Sequence, residues 1–239
     1  MRVALVTVGD ELLAGDTVNT NAAWLARQLT DRGVTVERVT AVPDRVSDIA
    51  AVVNEYHAEY DAVLVTGGIG PTHDDVTMDG VAAAVGQELA QSEPALEYIE
   101  SHRGYARADL TAGTANIPAG GEFIPNPVGV APGCHVENIY VLPGVPEEMR
   151  GMFGEIEAQF SGTIQHTRTV AAAEPESTLL DRIEQLRERF DVTVGVYPGE
   201  HVRVKVSGPA EEAVTTAAQW LEQRVEPPEQ STDVDDQSR

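Results

Sequence analysis

Apolar residues recur along the first half of the chain in two alternating patterns. Residues 3–8 form a nearly unbroken apolar run that ends at Gly9, as a strand buried on both faces requires. Residues 17–32 then place Ala22, Leu25, Ala26 and Leu29 at helical intervals, and Gly33 supplies a helix-ending glycine. Residues 34–42 alternate as a second strand. A helix to about residue 57 follows, with Asp44 or Ser47 placed to cap it. Residues 62–66 make a third apolar strand. Strands alternating with helices predict a mostly parallel sheet covered on both faces.

Residues 86–119 read as short helical pieces joined by loops. Residues 123–142 carry short strands between turn signals at Asn126-Pro127, Gly129, Pro132-Gly133 and Glu137-Asn138. Pro146 opens a helix through Met149 and Phe153. After Gly162 the pattern changes to strand 167–172, helix 177–189, strands 192–197 and 202–206, and helix 211–225. The expected organisation is a three-layer α/β/α domain over 1–165, a small α/β domain over 166–225 and a disordered acidic tail over 226–239.

Composition narrows the function classes. No stretch reaches the roughly 18 apolar residues of a membrane-spanning helix, and the run at 3–8 leads into Asp10 and Glu11 rather than a cleavage sequence. The single cysteine, Cys134, has no intrachain partner and reads as a packed residue. A cytoplasmic protein away from membranes is expected. The charge is extreme: 39 acidic against 16 basic residues give −23, and Lys205 is the only lysine. Such a surface repels nucleic-acid backbones, so no nucleic-acid partner is expected. We read the excess as halophilic, an adaptation to a salt-rich cytoplasm where screening removes self-repulsion.

Candidate chemistry centres on the strand 62–66, which runs directly into Gly67-Gly68-Ile69-Gly70-Pro71-Thr72-His73-Asp74-Asp75. In open α/β sheets ligands bind beyond the carboxyl ends of strands. Clustered glycines let the backbone approach a ligand, and successive N–H groups cradle an anion. A helix starting near Thr77 would aim its N-terminus at the same place. Asp74 and Asp75 suit a phosphate site only if a cation such as Mg²⁺ bridges carboxylate and phosphate. On the glycines alone, a tight turn before an acidic helix start is the simpler reading. Other loops follow the remaining strands: Gly9 to Gly15 with Asn19 and Asn21 beyond, Val42-Pro43-Asp44, the turn-rich 126–133 and the segment 142–149.

Four of these segments together resemble a family. Gly-Asp-Glu-Leu-Leu at 9–13, Gly-Gly-Ile-Gly-Pro-Thr-His-Asp-Asp-Val-Thr at 67–77, Gly-Val-Ala-Pro-Gly at 129–133 and Pro-Gly-Val-Pro-Glu-Glu-Met at 143–149 are similar, in order and spacing, to the molybdopterin-binding-like domain of CinA proteins. The resemblance covers about 1–165, and 166–225 resembles the small middle domain of CinA, with Val196-Tyr197-Pro198 as a weak signature. No counterpart of the CinA amidase domain stands in the 239 residues, so amidase activity is not expected. The resemblance implies a molybdopterin-binding-like α/β fold, a phosphorylated small-molecule partner (nucleotide or pterin) and self-association into a homo-oligomer. It also implies a Mg²⁺-dependent pyrophosphatase acting on a nucleotide diphosphate, with ADP-ribose the first candidate. Asp44 and Asp75 fall where pterin-binding relatives have functional acidic residues, and are the expected metal ligands. Asp74 or Asp10 would orient or deprotonate water. Gly67, Gly68, Gly70, Pro71, Thr72 and Thr77 would hold the phosphates. Asn126, Gly129, Pro132, Gly133, Pro143, Gly144, Pro146 and Glu147 would complete the ligand contacts. Asp74 stands where some pterin-binding relatives have a basic residue, which favours the CinA side. Val130 stands where threonine is expected. The alternatives are a non-catalytic molybdopterin- or nucleotide-binding module, related to molybdenum cofactor biosynthesis, and a structural remnant.

The remaining candidates read as follows. His73 is an exposed loop residue, His135 and His166 are strand residues, and Trp24 is core. Arg103, Arg107 and Arg150 are rare cations in an acidic chain, able to meet a ligand phosphate or to pair with surface carboxylates. If the acidic excess is a salt adaptation, the melting temperature rises between low and molar KCl. Equal thermal stability in both would remove that reading.

Overall fold

The N-terminal run forms the central strand β1 (Arg2–Val8) in the computed structural model of the protein, which describes residues 1–228. Its side chains alternate between two cores. Val3 and Leu5 join one, Val6 and Val8 the other. After the short helix α1 (Asp10–Ala14) and α2 (Thr20–Asp31), the chain enters β2 (Thr35–Val42), α3 (Val46–Glu59) and β3 (Ala62–Gly67). Next come α4 (Thr77–Ala84), β4 (Leu89–Gln91), α5 (Glu93–Tyr98), β5 (Asn116–Pro118), β6 (Glu122–Ile124), β7 (Gly133–Val136), β8 (Ile139–Pro143) and α6 (Pro146–Ile156).

Six strands make one sheet in the order β2-β1-β3-β8-β7-β6. The first four are parallel, β7 runs against them, and β6 pairs antiparallel with β7 and so runs with the first four. Leu25 and Leu29 of α2 and Met149, Met152 and Phe153 of α6 pack on one face. Ile49 and Val53 of α3 and Met78 and Val81 of α4 pack on the other. This is the expected α/β class with a mostly parallel sheet between helices. From β1 the chain departs to β2 on one side and to β3 on the other. The carboxyl ends of these strands therefore part and leave a crevice, the usual ligand position in open sheets.

The chain divides into Met1–Gly162 and Thr163–Arg239. The division falls three residues before the expected 165. The Gly162 N–H donates to Arg32 O at 3.0 Å, and a Cβ at Gly162 would lie 2.1 Å from Gly33 O. Close packing thus keeps the chain on the first unit up to that point. The second unit contains β9 (His166–Ala172), α7 (Glu176–Arg189), β10 (Thr193–Tyr197), β11 (Val202–Gly208) and α8 (Glu211–Glu222). Its antiparallel sheet has the order β10-β11-β9. Val170, Val204 and Val206 bury one face against Leu179, Leu186, Ala217 and Leu221. The disordered tail expected over 226–239 lies, from residue 229 onward, outside the described residues.

Three local expectations change. The helix expected over 17–32 starts at Thr20, where the Asn19 side chain accepts from Ala22 N at 3.1 Å. Neither Asp44 nor Ser47 caps α3, whose N-cap is Arg45. The β4–β5 pair lies inside a segment read as helices and loops; strands of three residues are too short to show a period.

One ionic cluster ties the second unit together. Arg182 donates to both carboxylate oxygens of Glu174 and to the carbonyls of Thr178 and Arg224. The Glu226 N–H also donates to Glu174, at 2.9 Å. The Arg182 guanidinium, then the Glu226 N–H, hold the Glu174 carboxyl down to about 2. Its stabilising contribution is present above the unfolded value near 4.5 and is lost as pH falls toward 2. Glu174→Gln is therefore expected to melt a few degrees lower at pH 7, with the gap to the parent closing in melts taken from pH 5 down to pH 2.

Candidate functional site

The crevice at the ends of β1, β3 and β8 is an open cleft of about 490 Å³, a size that suits a nucleotide-sized ligand. Val8 and Gly9, the segment 67–70 and the segment 143–145 form its floor. Its charged lining is Glu11, Asp44, Asp74, Asp75 and Glu148, with no Lys, Arg or His.

Asp75 gives the glycine loop its shape. A Cβ at Gly68 would lie 2.2 Å from Asp75 Oδ1, and one at Gly70 would lie 2.6 Å from Asp75 Oδ2. Neither glycine has a positive φ. They are needed because a carboxylate folds back onto the loop, not for a left-handed turn. Asp75 Oδ2 accepts from the Thr72 N–H at 3.2 Å and from the Thr72 hydroxyl. Asp75 Oδ1 carries no hydrogen bond among the described residues. Gly67 is closed from below: a Cβ there would meet Thr77 Oγ1 at 2.6 Å and Val8 Cβ at 2.6 Å. The Thr77 hydroxyl is fully buried without a hydrogen-bond partner, so Thr77 packs beneath the loop and does not line the cleft.

Asp44 follows β2 and reaches back to the first turn of α1, where the Asp10 N–H donates to its Oδ2 at 2.8 Å. Partial burial pushes the Asp44 carboxyl up; the Asp10 N–H opposes this, and the charges of Glu11, Asp10 and Asp74 add to it. Asp10 itself is exposed and serves the site through its backbone. Asp44 and Asp75, after strands on either side of β1, are hard-oxygen donors of the kind Mg²⁺ takes alongside ligand phosphates. No three His, Cys, Asp or Glu side chains converge to hold a metal among the described residues, so an ion here would need ligand oxygens as well.

The 126–133 segment supports the cleft from behind. Asn126 is buried; its amide donates to Glu148 Oε2 at 2.7 Å and Ala131 O at 2.9 Å, and its oxygen accepts from Val128 N and Gly129 N. Arg103 holds the same loop through the carbonyls of Pro127 and Val128. A Cβ at Gly129 would lie 2.0 Å from Glu148 Oε2, and one at Gly133, in β7, 2.3 Å from Val141 O. Pro132 is buried. Asn126, Gly129, Pro132 and Gly133 thus position Val130, Ala131 and Glu148, which do line the cleft.

Pro143 and Gly144 line the cleft as expected, whereas Glu147 does not and Glu148 does. Glu148 lies four residues before buried Met152, on the flank of the helix's inner stripe. Pro146 borders a smaller neighbouring recess with Asn19, Asn21 and Thr66. Pro71 and Thr72 border another recess behind the loop, which Asp75 also lines. The arginines turn elsewhere: Arg107 pairs with Glu93 and Glu100, and Arg150 lies over Trp24. His73 is fully exposed, 3.8 Å from Asp74. Glu11, from the Gly-Asp-Glu-Leu-Leu motif at 9–13, lines the cleft as well.

Ionised Asp44 costs stability, because its folded carboxyl titrates above the unfolded one. The neutral form is favoured fully below the unfolded value of about 3.9, and the cost appears as pH rises through the folded value. Asp44→Asn keeps an acceptor for the Asp10 N–H. We expect it to melt about 2 °C higher at pH 7 and level with the parent below about pH 4. A lower melting point at pH 7 would contradict this account.

Comparison with known proteins places the chain in a family. Residues 4–161 match the family described as a probable molybdopterin binding domain. A protein from Archaeoglobus fulgidus is 38% identical over 225 residues, 93% of this chain and 97% of that one. A CinA-like protein from Frankia casuarinae is 43% identical over 169 residues, 64% of this chain but only 38% of that protein. A crystal structure of the protein CinA with unknown function, from Thermoplasma acidophilum, is 40% identical and superposes with a TM-score of 0.61, covering 66% of this chain and 97% of that one. No helix among the described residues is long and apolar enough to cross a membrane. With the family's domain matched across the first unit and CinA-like relatives over the same residues, the chain belongs to the molybdopterin-binding-domain family and to its CinA-like branch.

Proposed function

We propose that the cleft binds a nucleotide diphosphate together with a divalent cation and hydrolyses its pyrophosphate, with ADP-ribose the first candidate. One observation carries this reading: five carboxylates and no basic side chain line a nucleotide-sized cleft. A phosphorylated ligand entering alone would meet only repulsion. A shared divalent ion reverses that sign, and Mg²⁺ is commonly held by one or two carboxylates plus substrate phosphates.

The ion supplies neutralisation of the diphosphate and of the charge that develops as it is cleaved. The chain's own groups do the rest. Asp75 Oδ1, left free while Thr72 occupies Oδ2, and the Asp44 carboxylate are the donors toward the ion. Asp74, exposed at the cleft edge, would orient or deprotonate water. The glycine segment lets the ligand approach the backbone closely. A second reading, a non-catalytic molybdopterin- or nucleotide-binding module, draws support from the structural use of Asp75 in closing its own loop.

Incubation with ADP-ribose, FAD and NAD, with and without Mg²⁺, separates the two. AMP release that stops on chelation supports hydrolysis. Calorimetric binding without AMP leaves the module. Asp75→Asn preserves an acceptor for Thr72 and is expected to fold, while losing roughly a hundredfold in rate. Parental turnover in that variant would take Asp75 out of the site.

A further inference from the structure

The second unit covers only one face of its sheet. Pairing across the strands places Arg203 opposite Tyr197 and Ala171, and Lys205 opposite Gly195 and Thr169, on the face away from the helices. Every other residue that the three strands present there is uncharged. In a chain with 39 acidic residues, this is a carboxylate-free surface holding the only lysine. Neither Arg203 nor Lys205 meets a carboxylate among the described residues. The nearest acid along the chain, Glu200, lies in the turn beyond the strand ends.

The aromatic residue is placed with them. A Cβ at Gly195 would lie 3.1 Å from Tyr197 Cε2 and 3.1 Å from its hydroxyl oxygen. The ring therefore folds back along β10 onto the glycine, beside Lys205. It remains 48% exposed, with a surface open to stack on. Arg203 and Lys205, two residues apart on one strand, stand about 7 Å apart, a spacing that suits successive phosphates of an extended strand.

We propose that this face binds single-stranded nucleic acid, with a base stacked on Tyr197 and adjacent phosphates at Arg203 and Lys205. A flat face cannot enclose a free nucleotide, whereas a polymer gains from several shallow contacts. Stacking plus backbone cations is the general physics of single-strand binding. The repulsion expected from the acidic excess is a property of the chain average, and this face departs from it. The proposal is independent of the chemistry in the first unit.

The test is fluorescence anisotropy of the whole protein with a labelled 15-residue oligouridine, across a KCl series in which circular dichroism shows the fold intact. Two neutralised phosphates predict that log Kd rises with log salt at a slope of about 1.4. The Arg203→Gln/Lys205→Gln double variant should lose binding and keep its circular dichroism. Tyr197→Ala should weaken binding about tenfold with the slope unchanged, and Tyr197→Phe should bind like the parent. No saturable binding, or full binding by the double variant, overturns the proposal. Displacement of the oligonucleotide by poly-glutamate as readily as by unlabelled oligouridine also overturns it, and would make the face a dock for an acidic protein.

Discussion

The shape of the cleft depends on one carboxylate held against backbone. Asp75 lies over Gly68 and Gly70 so closely that a methyl group at either position would meet it inside van der Waals contact. Thr72 donates twice to the same carboxylate and so closes the loop into a ring of local contacts. From that loop the chain enters α4, whose first residue, Thr77, fills the space under Gly67. Remove the carboxylate and the loop loses the acceptor that organises two donors and two glycines. A residue that looks like a ligand-binding group is thus first a folding group, and any part in chemistry falls to the oxygen that Thr72 leaves free.

The electrostatics of the site follow from where its carboxylates are anchored. Asp44 is held by the first N–H of α1, and Glu148 by the Asn126 amide. Partial burial and neighbouring negative charges push the Asp44 carboxyl up, and the Asp10 N–H opposes them. Fixed hydrogen bonds therefore hold together carboxylates that would otherwise repel one another. The cations that might have balanced them are used elsewhere. Arg103 secures backbone carbonyls, Arg107 pairs within its own segment, and Arg150 lies on an indole ring. The result is a cleft whose five carboxylates face no basic side chain.

The second unit distributes charge differently. Helix α7 is dense in Glu and Arg, α8 carries Glu without Arg, and the Glu174–Arg182 cluster joins the end of β9 to the chain beyond α8. Its uncovered sheet face has no acid at all. Strand alternation enforces this separation, since residues two apart share a face and their neighbours point into the core.

Period and punctuation in the sequence determined most of the architecture. Runs such as 3–8 and 62–66 could only be strands buried on both faces, and the alternation with helices fixed a mostly parallel sheet whose strand ends form a crevice. The same logic located the loop 67–75 and its carboxylates. What the sequence could not carry was the partner of each group. Neither motif nor spacing shows that Asp44 bonds the Asp10 N–H, that Asn126 is a buried brace for Glu148, or that Glu148 rather than Glu147 faces the cleft. These contacts join residues up to 34 positions apart, or depend on a helix phase of one residue. Only the packed structure decides them, because burial and hydrogen-bond geometry are properties of several segments at once, whereas periodicity belongs to one.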